Sequence, residues 1–91
     1  MAVLSINYDL RSPGQDYQGL YNAIKSYGAW CQMLESCWLI DTQASASVVR
    51  DHLMGEVDTN DEIFVARLIQ EWATNFSDQT TEWLKSPSRT W

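Results

Sequence analysis

Asp9 closes an apolar, alternating run from Ala2 to Leu10, AVLSINYDL. Strands disfavour Asp, so a carboxylate at the end of one asks for a reason. Two chemistries suit it. Either it caps the strand and opens the Arg11–Gly14 turn, or it points into a metal or phosphate site; the residue types alone favour the cap. A second set of candidates is aromatic and basic. Trp30, Trp38 and the tyrosines have faces that stack on a base, and Arg11, Arg50 and Arg67 have the charge to meet phosphate. That is the set a small-nucleotide binder needs. Taken singly, each has an ordinary structural role, because Arg pairs with carboxylates and Trp with a core.

The remaining metal-ligating residues make no recognised pattern. Cys31, Cys37 and the lone His52 lack the clustered spacing of a zinc site, and the two cysteines read as reduced, buried thiols. Glu56, Asp58, Asp61 and Glu62, with Asp51 nearby, form an acidic stretch. A calcium loop wants carboxylates at alternate positions, a central Gly and a terminal Glu, and this spacing differs. The stretch reads as a solvated connection.

Charge narrows the partners. Twelve Asp and Glu face six Lys and Arg, a net charge of −6. The basic residues Arg11, Lys25, Arg50, Arg67, Lys85 and Arg89 are scattered, whereas a non-specific nucleic-acid binder presents a basic stripe. No run approaches the roughly eighteen apolar residues of a membrane span, and the N-terminus lacks a signal-peptide pattern. A cytoplasmic protein with no membrane partner is expected. The 91 residues make a single domain, 1–91, with its core over about 2–70 and a tail over 71–91. A chain this short buries roughly 60–65% of its extended surface, so a partner chain would help it. Five Trp residues must then belong to a core or an interface.

The elements that position these residues follow from periodicity. In the first run Leu4, Ile6, Tyr8 and Leu10 share one face and Val3, Ser5, Asn7 and Asp9 the other, which predicts a half-buried strand. The turn RSPGQD, punctuated by Pro13–Gly14, leads into a helix from Asp16 or Tyr17 to Tyr27, capped by Asp16 and stopped by Gly28. Two short strands follow within Ala29 to Thr42, joined at Glu35–Ser36; the apolar run Cys37 to Asp41 reads as a central strand covered on both faces. A second helix spans Ser45 to Met54, with Ser45 or Ser47 as its cap, and Gly55 ends it. Ile63 to Ile69 makes the fourth strand. Gln70 to Phe76 is expected to add a short extra strand, and Ser77 or Asp78 to cap a helical turn through Leu84. Pro87 is expected to end the ordered structure, leaving Trp91 exposed or docked on a partner subunit.

The order β-α-β-β-α-β predicts an α+β, ferredoxin-like sandwich with a short C-terminal extra strand and helical turn. Both helices cover one face of the sheet, and the other face, with Val3, Ser5, Asn7 and Asp9, is left bare. Homodimerisation across that face would cover it and bury the surplus Trp residues.

Particular residues also carry a family likeness: Asn7-Tyr8-Asp9-Leu10, Pro13-Gly14-Gln15 with Tyr17 and Leu20, and Ala23-Ile24-Lys25 with Gly28 and Trp30. Ser36, Trp38-Leu39, Val49-Arg50-Asp51, Asn60-Asp61, Phe76-Ser77-Asp78 and Trp83-Leu84-Lys85 extend it over most of the chain. In these the chain resembles the small SinR-like proteins of bacteria and phages, relatives of the CRISPR-associated "Cas two" family. The resemblance implies the ferredoxin-like fold and a homodimer. That family includes metal-dependent nucleases and proteins acting only as scaffolds. In the nucleases an Asp closing the first strand, here Asp9, approaches its dimer mate and helps hold a divalent ion, Mg²⁺ or Mn²⁺. This chain departs from them in its acidity and its lack of a basic stripe.

Three functions follow, in order. The first is a non-catalytic homodimeric binding or scaffold protein that requires no cofactor. The second is a metal-dependent nuclease acting on RNA or DNA through Asp9, with Asn7, Tyr8 and Arg11 near the phosphate. The third is a binder of a small nucleotide at a subunit interface, using Trp30, Trp38, Arg11, Arg50 and Arg67.

Overall fold

The computed structural model describes residues 1–11, 16–76 and 78–91. In chain order the elements are β1 (Ala2–Asp9), α1 (Gln18–Lys25), β2 (Ala29–Leu34), β3 (Cys37–Thr42), α2 (Ala46–Met54), β4 (Glu62–Leu68) and α3 (Gln79–Lys85). The strands form one four-stranded sheet in the order β2-β3-β1-β4, with every neighbouring pair antiparallel. The protein is α+β. Among the described residues no helix is long and apolar enough to cross a membrane.

The period-two pattern of the first strand has the consequence expected of it. Leu4 and Ile6 share a face with Trp38 and Ile40 of β3, and that face packs on Leu20, Ala23 and Ile24 of α1 and Val49 and Leu53 of α2. Ile63 and Val65 of β4 close the same cluster at its side. Each fully buried Leu or Ile contributes about 1.5–3 kcal/mol, so this cluster is the main driving force of the fold. The helices form where their apolar residues recur at steps of three and four. α1 begins at Gln18, after Asp16 accepts the Gln18 N–H at 2.8 Å, and its exit turn ends at Gly28, where φ is +87°, a value that L side chains rarely adopt. Ser45 caps α2 as expected, its Oγ accepting the Val48 N–H at 3.2 Å. The Pro13–Gly14 turn and Ser77 lie outside the described residues.

The opposite face departs from the expectation. It is not bare: Val3 and Leu39 on that face are buried under Leu84 of α3, with Trp72, Trp83 and Trp91 packed around them. No extra strand forms over 70–76, and Asp78 Oδ1 caps α3 by accepting the Thr80 N–H at 3.0 Å. Nor does Pro87 end the ordered structure. Asp41, on the tail-covered face of β3, is only 4% exposed. A carboxylate buried there must find donors. The tail supplies them: the Thr90 N–H donates at 2.9 Å, the Thr90 hydroxyl donates to the other oxygen, and Arg89 approaches to 3.9 Å. Trp91 then stacks on Trp72, with ring centres 6.3 Å apart, within its own chain. Surplus Trp residues here fold the tail back over the sheet.

Leu84 is the apolar anchor of this arrangement, at 2% exposure. Leu84→Ala is expected to lower the free energy of unfolding by about 2–5 kcal/mol in a urea titration. An unchanged midpoint would mean that the tail contributes nothing to the folded state.

Candidate functional site

The C-terminal end of β1 gathers Asn7, Tyr8, Asp9 and Arg11 in one place. The β1–β4 register sets Asp9 opposite Glu62. Two like charges facing one another across a sheet destabilise it unless something neutralises them. Arg11 does so. Its Nη2 lies 2.9 Å from Asp9 Oδ2 and also donates to Glu62 Oε1, while its Nε donates to Asp9 at 3.1 Å. All three side chains are at least half exposed, so the fork is a surface one.

Beneath it lies a carboxylate of a different kind. Asp61 is 4% exposed and accepts the Arg11 N–H at 2.7 Å, the Asp58 N–H at 3.0 Å and the Tyr17 hydroxyl at 3.1 Å. The backbone bond from Arg11 is the largest influence on it, and together with the other donors it holds the Asp61 carboxyl below the usual carboxylate range. The acidic stretch is therefore not solvated throughout. One of its members is a buried fastener joining the end of β1, the start of α1 and the approach to β4.

The aromatic candidates are placed otherwise than a nucleotide platform requires. Trp38 is 2% exposed, and its Nε1 donates to the Tyr8 hydroxyl at 2.9 Å. That hydroxyl donates in turn to the Glu35 carbonyl at 3.0 Å, and burial raises its pKa. The Tyr21 ring stacks on Trp38 with centres 6.0 Å apart. Trp30 tilts against Trp38 at 5.5 Å, with Lys25 Nζ 5.2 Å from the Trp30 ring centre. The stack is made by the protein's own rings and ammonium, and of its rings Trp30 is the exposed one.

The basic candidates do not converge. Arg50 pairs with its neighbour Asp51 on α2 at 2.8 Å. Arg67 stands opposite Leu4, five positions along β4 from Glu62, a separation of about 16 Å at the rise of a strand. Asn7 donates to Ser5 Oγ at 3.3 Å and to the Phe64 carbonyl at 3.4 Å, and lines an open depression with Tyr8, Asp9, Glu62, Ile63 and Phe64. Among the described residues no group of three or more His, Cys, Asp or Glu side chains is placed to hold a metal ion. The carboxylates facing each other here, Asp9 and Glu62, are both engaged by Arg11 within one protomer.

Asp41 and Asp61 are the residues that sequence reasoning passed over. Asp41 carried the same signal as Asp9, a carboxylate closing an apolar run. Asp61 sat among solvated acids of identical type, and nothing local distinguished it. No family model matches this chain, and no solved structure matches it.

The lowered pKa of Asp61 gives a pH dependence of known sign. Its folded value lies below its unfolded one, so its contribution is present above the unfolded value of about 3.9 and is lost as pH falls through the folded value. Asp61→Asn is expected to lower the urea midpoint at neutral pH, with the gap between parent and variant narrowing as the solution is acidified. A gap that stays constant down to the acid limit would contradict this assignment.

Proposed function

We propose that this chain is a non-catalytic, homodimeric binding or scaffold protein built on a ferredoxin-like sandwich, akin to the SinR-like relatives of the "Cas two" family. The strand order β2-β3-β1-β4, with β2 and β3 joined directly and a helix in each of the other connections, supports the ferredoxin-like reading. The observation that carries the non-catalytic reading is the Arg11 fork. The carboxylate that the nuclease members would use for a metal is here engaged by a guanidinium of its own chain.

Self-association is supported by β4. It is an edge strand, so one row of its backbone donors and acceptors is unpaired within the sheet. Phe64, midway along it, is 66% exposed, and Ile69 just beyond its end is 64% exposed. On the outer face Leu68 packs in the cluster that the tail covers, whereas Phe64 lies outside it. Antiparallel pairing of two β4 strands about a two-fold axis is self-complementary and joins the two sheets into one.

Light scattering after gel filtration tests the reading. The parent protein is expected to be a dimer at micromolar concentration, and Phe64→Lys a folded monomer with an unfolding midpoint close to the parent's. A strictly monomeric parent would remove the homodimer. The catalytic alternative is tested with labelled RNA and DNA in Mg²⁺ or Mn²⁺, where no cleavage above background is expected. Cleavage by the parent that disappears in Asp9→Ala would establish a nuclease instead.

A further inference from the structure

The opposite edge of the sheet carries a second surface. β2 pairs only with β3, so its outer edge is open among the described residues. Beside it lies the groove lined by Trp30, Cys31 and Gln32 on one side and by Asp78, Gln79, Thr80 and Trp83 on the other. Successive side chains of a strand point to opposite faces. A groove that touches three successive residues of β2 therefore runs alongside the strand's edge rather than over either face. A further strand added at that edge would lie about 4.8 Å from β2, alongside this groove. α3 forms its far wall, held near the strand by the Cys31 thiol, which reaches the Thr80 hydroxyl at 3.6 Å.

We propose that this groove binds an extended peptide segment of alternating basic and apolar residues, added to the sheet as a strand beside β2. The backbone of such a segment satisfies the open edge, and its alternate side chains read the two sides of the sheet. On the α3 side the groove's charged group is Asp78, and Glu82 follows one turn later on α3. That side takes lysine or arginine. On the other side the peptide meets the exposed Trp30 ring, which already has Lys25 beside it. That side takes an apolar residue and repels a second cation. The net charge of −6 favours a basic segment over an acidic one. The proposal is independent of the dimer, which uses β4 at the other edge.

The test uses the Phe64→Lys variant, so that self-association through β4 does not interfere, and it is repeated on the parent. The probe is an acetylated, amidated heptapeptide of alternating valine and lysine, titrated into labelled protein and followed by amide and indole NMR shifts. Saturable shifts are expected at residues 29–34 and 78–83 and at the Trp30 and Trp83 indoles. The valine–glutamate peptide is expected to bind far more weakly, as is a valine–lysine peptide N-methylated at alternate positions. Asp78→Asn keeps the α3 cap but removes the charge, and it is expected to weaken binding several-fold with α3 still folded. The proposal is overturned by an absence of shifts at millimolar peptide, by equal binding of the acidic peptide, by insensitivity to Asp78→Asn, or by shifts centred on β4.

Discussion

The register of β1 against β4 sets a constraint that the surrounding structure has to meet. Val3 to Asp9 pair in sequence with Leu68 to Glu62, so burying Ile6 against Val65 necessarily brings Asp9 beside Glu62. A one-residue slip would relieve the charges but would turn the whole apolar face of β1 outward. The apolar face wins, and the charges are met by Arg11. Its guanidinium serves Asp9 and Glu62 while its backbone N–H serves Asp61, which also draws in Tyr17 and the Asp58 backbone. One residue thus ties off the end of the central strand, and its own position depends on a carboxylate buried below it.

A matching arrangement holds the other face. Asp41 closes an apolar run in β3 much as Asp9 closes one in β1, but it is buried and Asp9 is exposed. Exposure decides their roles. A surface carboxylate in an ion pair adds at most about 1 kcal/mol, whereas a buried one must be fully hydrogen-bonded and so dictates where the chain goes. Asp41 draws Thr90 and Arg89 back across the sheet; Arg89 lies 4.0 Å from the Trp83 ring centre, and the tryptophans of the tail cover Val3 and Leu39.

These contrasts explain which parts were legible in the sequence. β1, both core helices, the β2–β3 pair and β4 announce themselves by local periodicity and caps, because the forces that make them act over a few residues. The bond from Tyr17 to Asp61 joins positions 44 apart, and that from Thr90 to Asp41 positions 49 apart. No local pattern encodes such pairings. For that reason Asp61 looked like its solvated neighbours, 70–76 looked like a strand, and Trp91 looked like a loose end. Trp38 shows the converse: its type suited a ligand, but its place in the apolar run of β3 made it core. At Asp9 the sequence displayed the carboxylate and, two residues on, the arginine that holds it, without revealing that the two face the same way.

The chain's own tail covers Val3 and Leu39 on the outer face, and among the described residues both sheet edges stay open, β4 with Phe64 and β2 beside α3. The proposed role as a binding module rather than a metal enzyme rests on Arg11 keeping Asp9 occupied. Titration with Mn²⁺, followed by paramagnetic broadening of amide signals, tests that most directly. No broadening is expected at Asp9, Arg11 and Glu62 beyond that seen in Asp9→Asn. Selective broadening at those three residues, abolished by the substitution, would contradict it.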